Sequence, residues 1–183
     1  MEIFILLGLI FLNALFVMSE IALVSARKAR LESMAEKGDA KARNALNLSH
    51  NPEIFLSAAQ IGITLIAILT GVYSGEKFGK YLQPIFEDIS FLAPYAATVS
   101  TTVVVILVTY LSIVFGELIP KRIGLINAES IAKLVAQPMR IFARITHPFV
   151  WLLNKTSNVI FKIFNIKSER DDFVTEDEIK AII

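Results

Sequence analysis

Phe115-Gly116-Glu117-Leu118-Ile119-Pro120-Lys121 is the stretch that decides how this chain is read. It closes a run, 89–116, that carries no charged residue and exceeds the ~20 residues a bilayer needs. A glutamate at the tip of such a run is expensive in hydrocarbon and usually faces protein, water or an ion. Pro120 has no amide hydrogen, and its ring crowds the carbonyl four residues back, which belongs to Gly116. A helix here would leave that carbonyl without its normal donor, beside a carboxylate. Paired oxygens of this kind suit a hard cation such as magnesium or calcium.

Working outward, two more runs share this character. The spans are expected at about 3–26, 53–75 and 90–116. In the first, Glu20 is the only interior charge. A secretory signal is a poor reading of it, because Met1-Glu2 is not a basic leader and the run is longer than a signal core of ~7–15 residues. Asn51-Pro52-Glu53 opens the second span with a cap, a first-turn proline and an acid at the positive end of the helix dipole. With 55% hydrophobic and 19% charged residues, and a mean hydropathy of +0.61, the chain reads as a membrane protein rather than a soluble domain.

Basic residues orient it. Arg27, Lys28, Arg30, Lys37, Lys41 and Arg43 fill the first connector, which Gly38 breaks. The second connector, 76–88, offers Lys77 and Lys80 against Glu76, Glu87 and Asp88. Positive charge marks the cytoplasmic side. The expectation is a multi-pass protein of the plasma (inner) membrane, with its amino terminus outside and its carboxyl terminus cytoplasmic. Lys37, Lys41 and Arg43 read as a solvated face or a lipid-headgroup contact.

After residue 126 the pattern changes. Ile131, Leu134, Val135, Ile141, Phe142, Ile145, Phe149, Leu152 and Leu153 recur at helical spacing, with Lys133, Gln137, Arg140 and Arg144 on another face. Over 127–167 this predicts amphipathic helices lying in the interface, bent or divided at Pro138 and His147-Pro148 and anchored by Trp151. A second short piece sets Val159, Ile160, Ile163 and Phe164 opposite Lys155 and Lys162. A fourth crossing would centre Arg140 and Arg144 in the bilayer. Residues 168–183 read as a linker and the start of a helix, with capping-box spacing at Thr175 and Glu178 and a closing Ala181-Ile182-Ile183. That ending predicts a further soluble domain. The expected fold is an all-α membrane protein: a three-span domain over 1–126 plus a juxtamembrane amphipathic belt.

Composition excludes several functions. There is no cysteine, so thiolate sites are impossible, and His50 and His147 are too few for a zinc site. The net charge of +1 gives no reason to expect nucleic acid as a partner. Neither a serine–histidine–acid set nor a phosphate-cradling glycine loop is visible, so no enzymatic activity is expected.

Each span instead presents a polar flank. The second carries Ser57, Gln60, Thr64, Ala67 and Gly71; the third Thr109, Ser112 and Gly116, with Tyr110 seven residues before Glu117; the first Asn13, Ser19 and Glu20. Such stripes serve as packing seams in membrane bundles. Asn13 and Gln60 can bridge helices or supply oxygen to an ion, whereas Glu20 and Glu117 point to function unless they pair with Arg27, Lys121 or Arg122. The available ligands are all oxygen, which suits magnesium, calcium or sodium.

Several segments together resemble the DUF21 transmembrane domain of the CorC/cyclin M (CNNM) magnesium transporter family. They are Asn13 followed by Ser19-Glu20-Ile21-Ala22-Leu23, Asn51-Pro52 leading to Gln60-Ile61-Gly62-Ile63-Thr64-Leu65, and Gly116-Glu117-Leu118-Ile119-Pro120-Lys121. Val174-Thr175-Glu176-Asp177-Glu178 resembles the leader into that family's CBS-domain pair. The resemblance implies a homodimer in the lipid bilayer, with sodium-coupled Mg2+ efflux through an inward-facing cavity that holds a largely dehydrated ion. It also implies ATP-binding CBS domains, expected to lie outside these 183 residues. Its ion-site candidates are Asn13, Ser19, Glu20, Gln60, Gly62, Thr64, Gly116 and Glu117, acting through side-chain or main-chain oxygens. The competing expectation is a membrane-embedded Mg2+ sensor or scaffold that adjusts another transporter.

Overall fold

The computed structural model describes residues 1–50 and 52–164. The cap expected at Asn51, the end of the belt at 165–167 and the linker with its Thr175 capping box lie outside the described residues. Every regular element among the described residues is helical. Two compact units divide the chain, Met1–Thr146 and His147–Ile183.

In the first unit, α1 (Glu2–Ser25), α4 (Pro52–Glu87) and the helical stretch Ala93–Ile126 are long and apolar enough to cross a membrane. The third is assembled from a short 3-10 turn, Ala93–Tyr95, then α5 (Ala96–Ile113), a π-helical turn over Val114–Leu118 and α6 (Ile119–Ile126). Proline explains this construction. A π turn takes in one extra residue, with the Ile119 amide donating to the Val114 carbonyl. Pro120 then falls in the first turn of α6, where a missing amide hydrogen is tolerated. The chain therefore stays helical to Ile126, ten residues past the expected end at 116.

α4 also outruns its expected end. The stretch 76–88, read as a connector, is helical to Glu87 and includes Pro84. Packing on α5 holds it there. A Cβ on Gly75 would lie 3.2 Å from Val105, and one on Gly79 would lie 2.7 Å from the Thr101 hydroxyl. These glycines permit close helix approach where the span was expected to give way to a connector. Nearby, Leu6 and Ile10 of α1 cluster with Val104 and Val108 of α5. Tyr81 donates a hydrogen bond to the Glu2 carboxylate at 3.0 Å, tying the start of α1 to the last turns of α4.

The first connector folds into α2 (Lys28–Glu36) and α3 (Ala40–Ser49). Gly38 breaks the chain there as expected, at φ 92°. It lets the Gly38 and Asp39 amides reach back to the Ala35 and Met34 carbonyls, which closes α2 with its end groups satisfied. Asp39 then caps α3, accepting from the Lys41 and Ala42 amides at 2.9 and 3.1 Å. Lys37, Lys41 and Arg43 are exposed, in keeping with a solvated face.

α7 (Ala128–Ile163) is one continuous helix, so Pro138 and Pro148 do not divide it. Its opening turns pack by small residues. Ala128, Ala132, Ala136 and Met139 join Leu23, Ala26, Leu31, Ala35, Ala42, Ala45, Phe55 and Ala59 in the main buried cluster. Lys133 pairs with Asp39 at 2.9 Å and Arg30 with Glu129 at 3.5 Å. Of the larger apolar residues expected to define this helix, Leu134, Ile141 and Ile145 are exposed, whereas Ile131, Val135 and Phe142 are half-buried. In the second unit Phe149, Trp151, Leu152 and Leu153 are exposed too, and the Lys155 ammonium lies 4.9 Å from the Trp151 ring centre.

Candidate functional site

Between α1, α4 and the α5–π-turn segment lies a cavity of about 160 Å³. Its polar lining is Asn13 from α1, Thr70 from α4, and Thr109, Ser112 and Glu117 from the third stretch; Ile10, Ile63, Val108 and Ile113 supply apolar walls. The volume holds several waters.

Pro120 and Asn13 determine the chemistry at one end. The Gly116 carbonyl, denied an amide donor from position 120, accepts from the Asn13 side-chain Nδ2 at 3.2 Å. Gly116 is buried, and a Cβ there would lie 3.1 Å from that same Nδ2. Absence of a side chain at position 116 thus lets α1 and the π turn come close enough to bond. Two atoms have no such satisfaction: Asn13 Oδ1 and Ser112 Oγ are buried with no hydrogen-bond partner among the described residues. A buried acceptor without a donor costs about 1–3 kcal/mol, so orphaned atoms at a cavity point to a missing partner.

The sequence-derived candidates divide. Asn13, Gly116 and Glu117 come together at the cavity. Ser19 is buried, but its hydroxyl donates to its own helix at the Leu15 carbonyl, 2.6 Å away. Glu20 is half-buried, within electrostatic reach of Lys121 and Glu117. Gln60 and Thr64 are exposed on α4, away from the cavity lining. Gly62 is buried against Phe16, whose ring would sit 2.8 Å from an added Cβ, and Phe16 in turn meets Phe142 edge-on at 4.7 Å. Ser112, Thr109 and Thr70 were not among the candidates, though Thr109 and Ser112 lay on a recognised polar flank. What would have promoted them is their register: Thr109, Ser112 and Gly116 recur at three- and four-residue intervals on the helix that delivers Glu117.

The ion pairs that would have made the two glutamates merely structural are missing. Among the described residues the salt bridges are Arg30–Glu129, Lys77–Glu76 and Lys133–Asp39. Those residues also contain no cluster of three or more histidine, aspartate or glutamate side chains fit to hold a metal. Any ion bound here would rest on one or two carboxylates completed by amide, hydroxyl, carbonyl and water oxygens.

Comparison with known proteins agrees with this architecture. The chain is 46% identical over its whole length to a UPF0053 protein of Synechocystis sp., covering 41% of that relative. It is 35% identical to a UPF0053 protein of Bacillus subtilis, over 96% of this chain and 38% of the relative. It is 36% identical, again over its whole length, to the polyamine export protein of Escherichia coli, covering 40% of it. The chain therefore spans less than half the length of these curated relatives. The family model of the cyclin M transmembrane N-terminal domain (CNNM) matches residues 4–183. A match that leaves out only the first three residues shows membership: this chain belongs to the CNNM family, as its transmembrane domain.

Proposed function

We propose that this domain carries a cation across the membrane, with Mg2+ as the cargo and Na+ as the coupling ion whose entry drives Mg2+ out of the cell. One observation carries the reading. The polar lining of the cavity comes from oxygen-bearing residues, among them Glu117 and also Asn13 and Ser112, whose Oδ1 and Oγ are buried without a partner. Such a lining favours a hard cation. The volume lets Mg2+ keep several of its waters, as it prefers to do, so the site need not be fully dehydrated. A homodimer, a cytoplasmic face at α2 and α3, and regulation by attached soluble domains belong to the same reading.

A second reading has its own support. Relatives bear the name polyamine export protein, and a cavity with one carboxylate and walls of Ile10, Ile63, Val108 and Ile113 also suits an alkyl ammonium. Proteoliposomes loaded separately with Mg2+ and with 1,4-diaminobutane discriminate. The expected result is Mg2+ release that depends on a Na+ gradient and is abolished by Glu117→Ala in protein that remains folded. Diamine release without Mg2+ release would move the proposal to the second cargo. Movement of neither would favour a sensor or scaffold over a transporter.

A further inference from the structure

We propose that Pro120 sets the polarity of the cavity through Asn13. This rests on the cation reading above and deepens it by assigning a positioning role to a residue that does not line the cavity.

A side-chain amide carries a donor and an acceptor of nearly the same size. Asn13 could therefore offer either one to a cargo. The Gly116 carbonyl removes that freedom. It is an acceptor, so it takes the Asn13 Nδ2 donor, at 3.2 Å; the reverse orientation would set two oxygens against each other. With Nδ2 engaged, the atom left over is Oδ1, which is buried without a partner. The amide of a cavity-lining residue is thus locked with its acceptor spare. The same cavity is lined by Ser112, whose Oγ is also without a partner, and by Glu117.

Gly116 is open to Asn13 because residue 120 offers no amide that competes for its carbonyl. In an unbroken α-helix the amide of residue 120 would donate to the carbonyl of residue 116, and proline has none. The π turn over Val114–Leu118 accommodates the proline, and α1 supplies a donor to the Gly116 carbonyl from Asn13. The relay runs from a backbone deletion in α6, through one carbonyl, to the orientation of a side chain on α1. Its product is a lining of acceptors, suited to a metal cation or an ammonium group and unsuited to an anion.

The test is a double-mutant cycle on the whole chain in detergent, read by cation-induced shifts in unfolding temperature with Mg2+ and, separately, 1,4-diaminobutane. Pro120→Ala returns an α-register amide that competes with Asn13 for the Gly116 carbonyl, so that Asn13 can turn its NH2 inward. The expected result is cation affinity weakened about tenfold, the size of one lost hydrogen bond to a charged partner. Asn13→Asp alone places a carboxylate against the Gly116 carbonyl and should lower the unfolding temperature. In the Pro120→Ala background the same aspartate presents acceptors whichever way it turns, so affinity should recover to within about threefold of the unaltered chain. If Pro120→Ala does not fold, Gly116→Ala replaces it, since a methyl 3.1 Å from Nδ2 displaces the amide directly; the same loss is expected. Equal binding by the unaltered chain and Pro120→Ala, or strictly additive effects in the cycle, overturns the relay alone. No response of the unaltered chain to either cation overturns the cation reading itself, and the relay's role in cargo selection with it.

Discussion

Asp39 joins three elements with one carboxylate. One oxygen caps α3 and the other receives the Lys133 ammonium of α7 at 2.9 Å. The Lys133 hydrogen bond, followed by the one from the Ala42 amide, holds its carboxyl below the ordinary aspartate range. A depressed folded-state pKa stabilises the fold above the unfolded-state value and loses that contribution as pH falls through the folded value. Asp39→Asn keeps the cap and loses the charge pair, because asparagine caps about as well. Its unfolding temperature should therefore lie below that of the unaltered chain near neutral pH, with the gap closing below about pH 4. Asp39→Ala should unfold at a lower temperature than Asp39→Asn at neutral pH, since it loses both; thermal scans from pH 3 to pH 8 check the order. Gly62 carries a different expectation. The resemblance makes it an ion-site candidate, which as a glycine it could serve only through its main chain, and its missing side chain accommodates Phe16. Gly62→Ala should destabilise by about 1–3 kcal/mol through overpacking, measurable by denaturant titration with and without cation. At this scale the sequence was readable where chemistry is local, as at Gly38 or Pro120, and opaque where a partner comes from far along the chain. Nothing near Asn13 says that its amide will meet Gly116, 103 residues away.

Helices show the same division. The three spans were legible because a long uncharged run fits hydrocarbon, which tolerates so little charge, and fits few places in a soluble fold. Their ends were less so. Gly75, Gly79 and Pro84 look like punctuation, yet α4 passes through all three because Val105 and Thr101 of α5 pack against the glycines. α7 held the larger surprise. Its large apolar residues define the interfacial face expected of an amphipathic helix, whereas the face buried against protein is Ala128, Ala132, Ala136, Met139 and Ala143, at intervals of three and four. The periodicity was present in the sequence but carried by residues too small to dominate a hydropathy pattern. In a membrane protein the logic inverts, because large apolar side chains can face lipid while small ones let helices meet. Ala132 is fully buried and Leu134 is 68% exposed. Ala132→Leu should therefore cost about 1–3 kcal/mol, whereas Leu134→Ala should leave unfolding in detergent within about 0.5 kcal/mol of the unaltered chain. An equal loss at both positions would show that the two faces have been assigned wrongly.

For the whole molecule, the arrangement of spans is legible and its direction in the membrane is a matter of charge. Glu2 of α1 bonds Tyr81 of α4, while the other end of α1 meets α2, α3 and the opening turns of α4 and α7 in the main buried cluster. One end of the bundle thus carries the 88–92 connection, and the opposite end carries Arg27, Lys28, Arg30, Lys37, Lys41 and Arg43. By the positive-inside rule we propose that the second end faces the cytoplasm. Ala42, Ala45 and the alanine face of α7 belong to the buried cluster at this basic end. A chain without cysteine makes the direction directly measurable. Asp88 and Lys37 are both exposed, at opposite ends of the bundle. Asp88→Cys in intact cells should react with a membrane-impermeant maleimide, and Lys37→Cys should react only after the membrane is opened, with the unaltered chain as a background-free control. The reverse pattern would place α2 and α3 outside, and efflux from the cytoplasm would then require entry past Glu2 and Tyr81 instead.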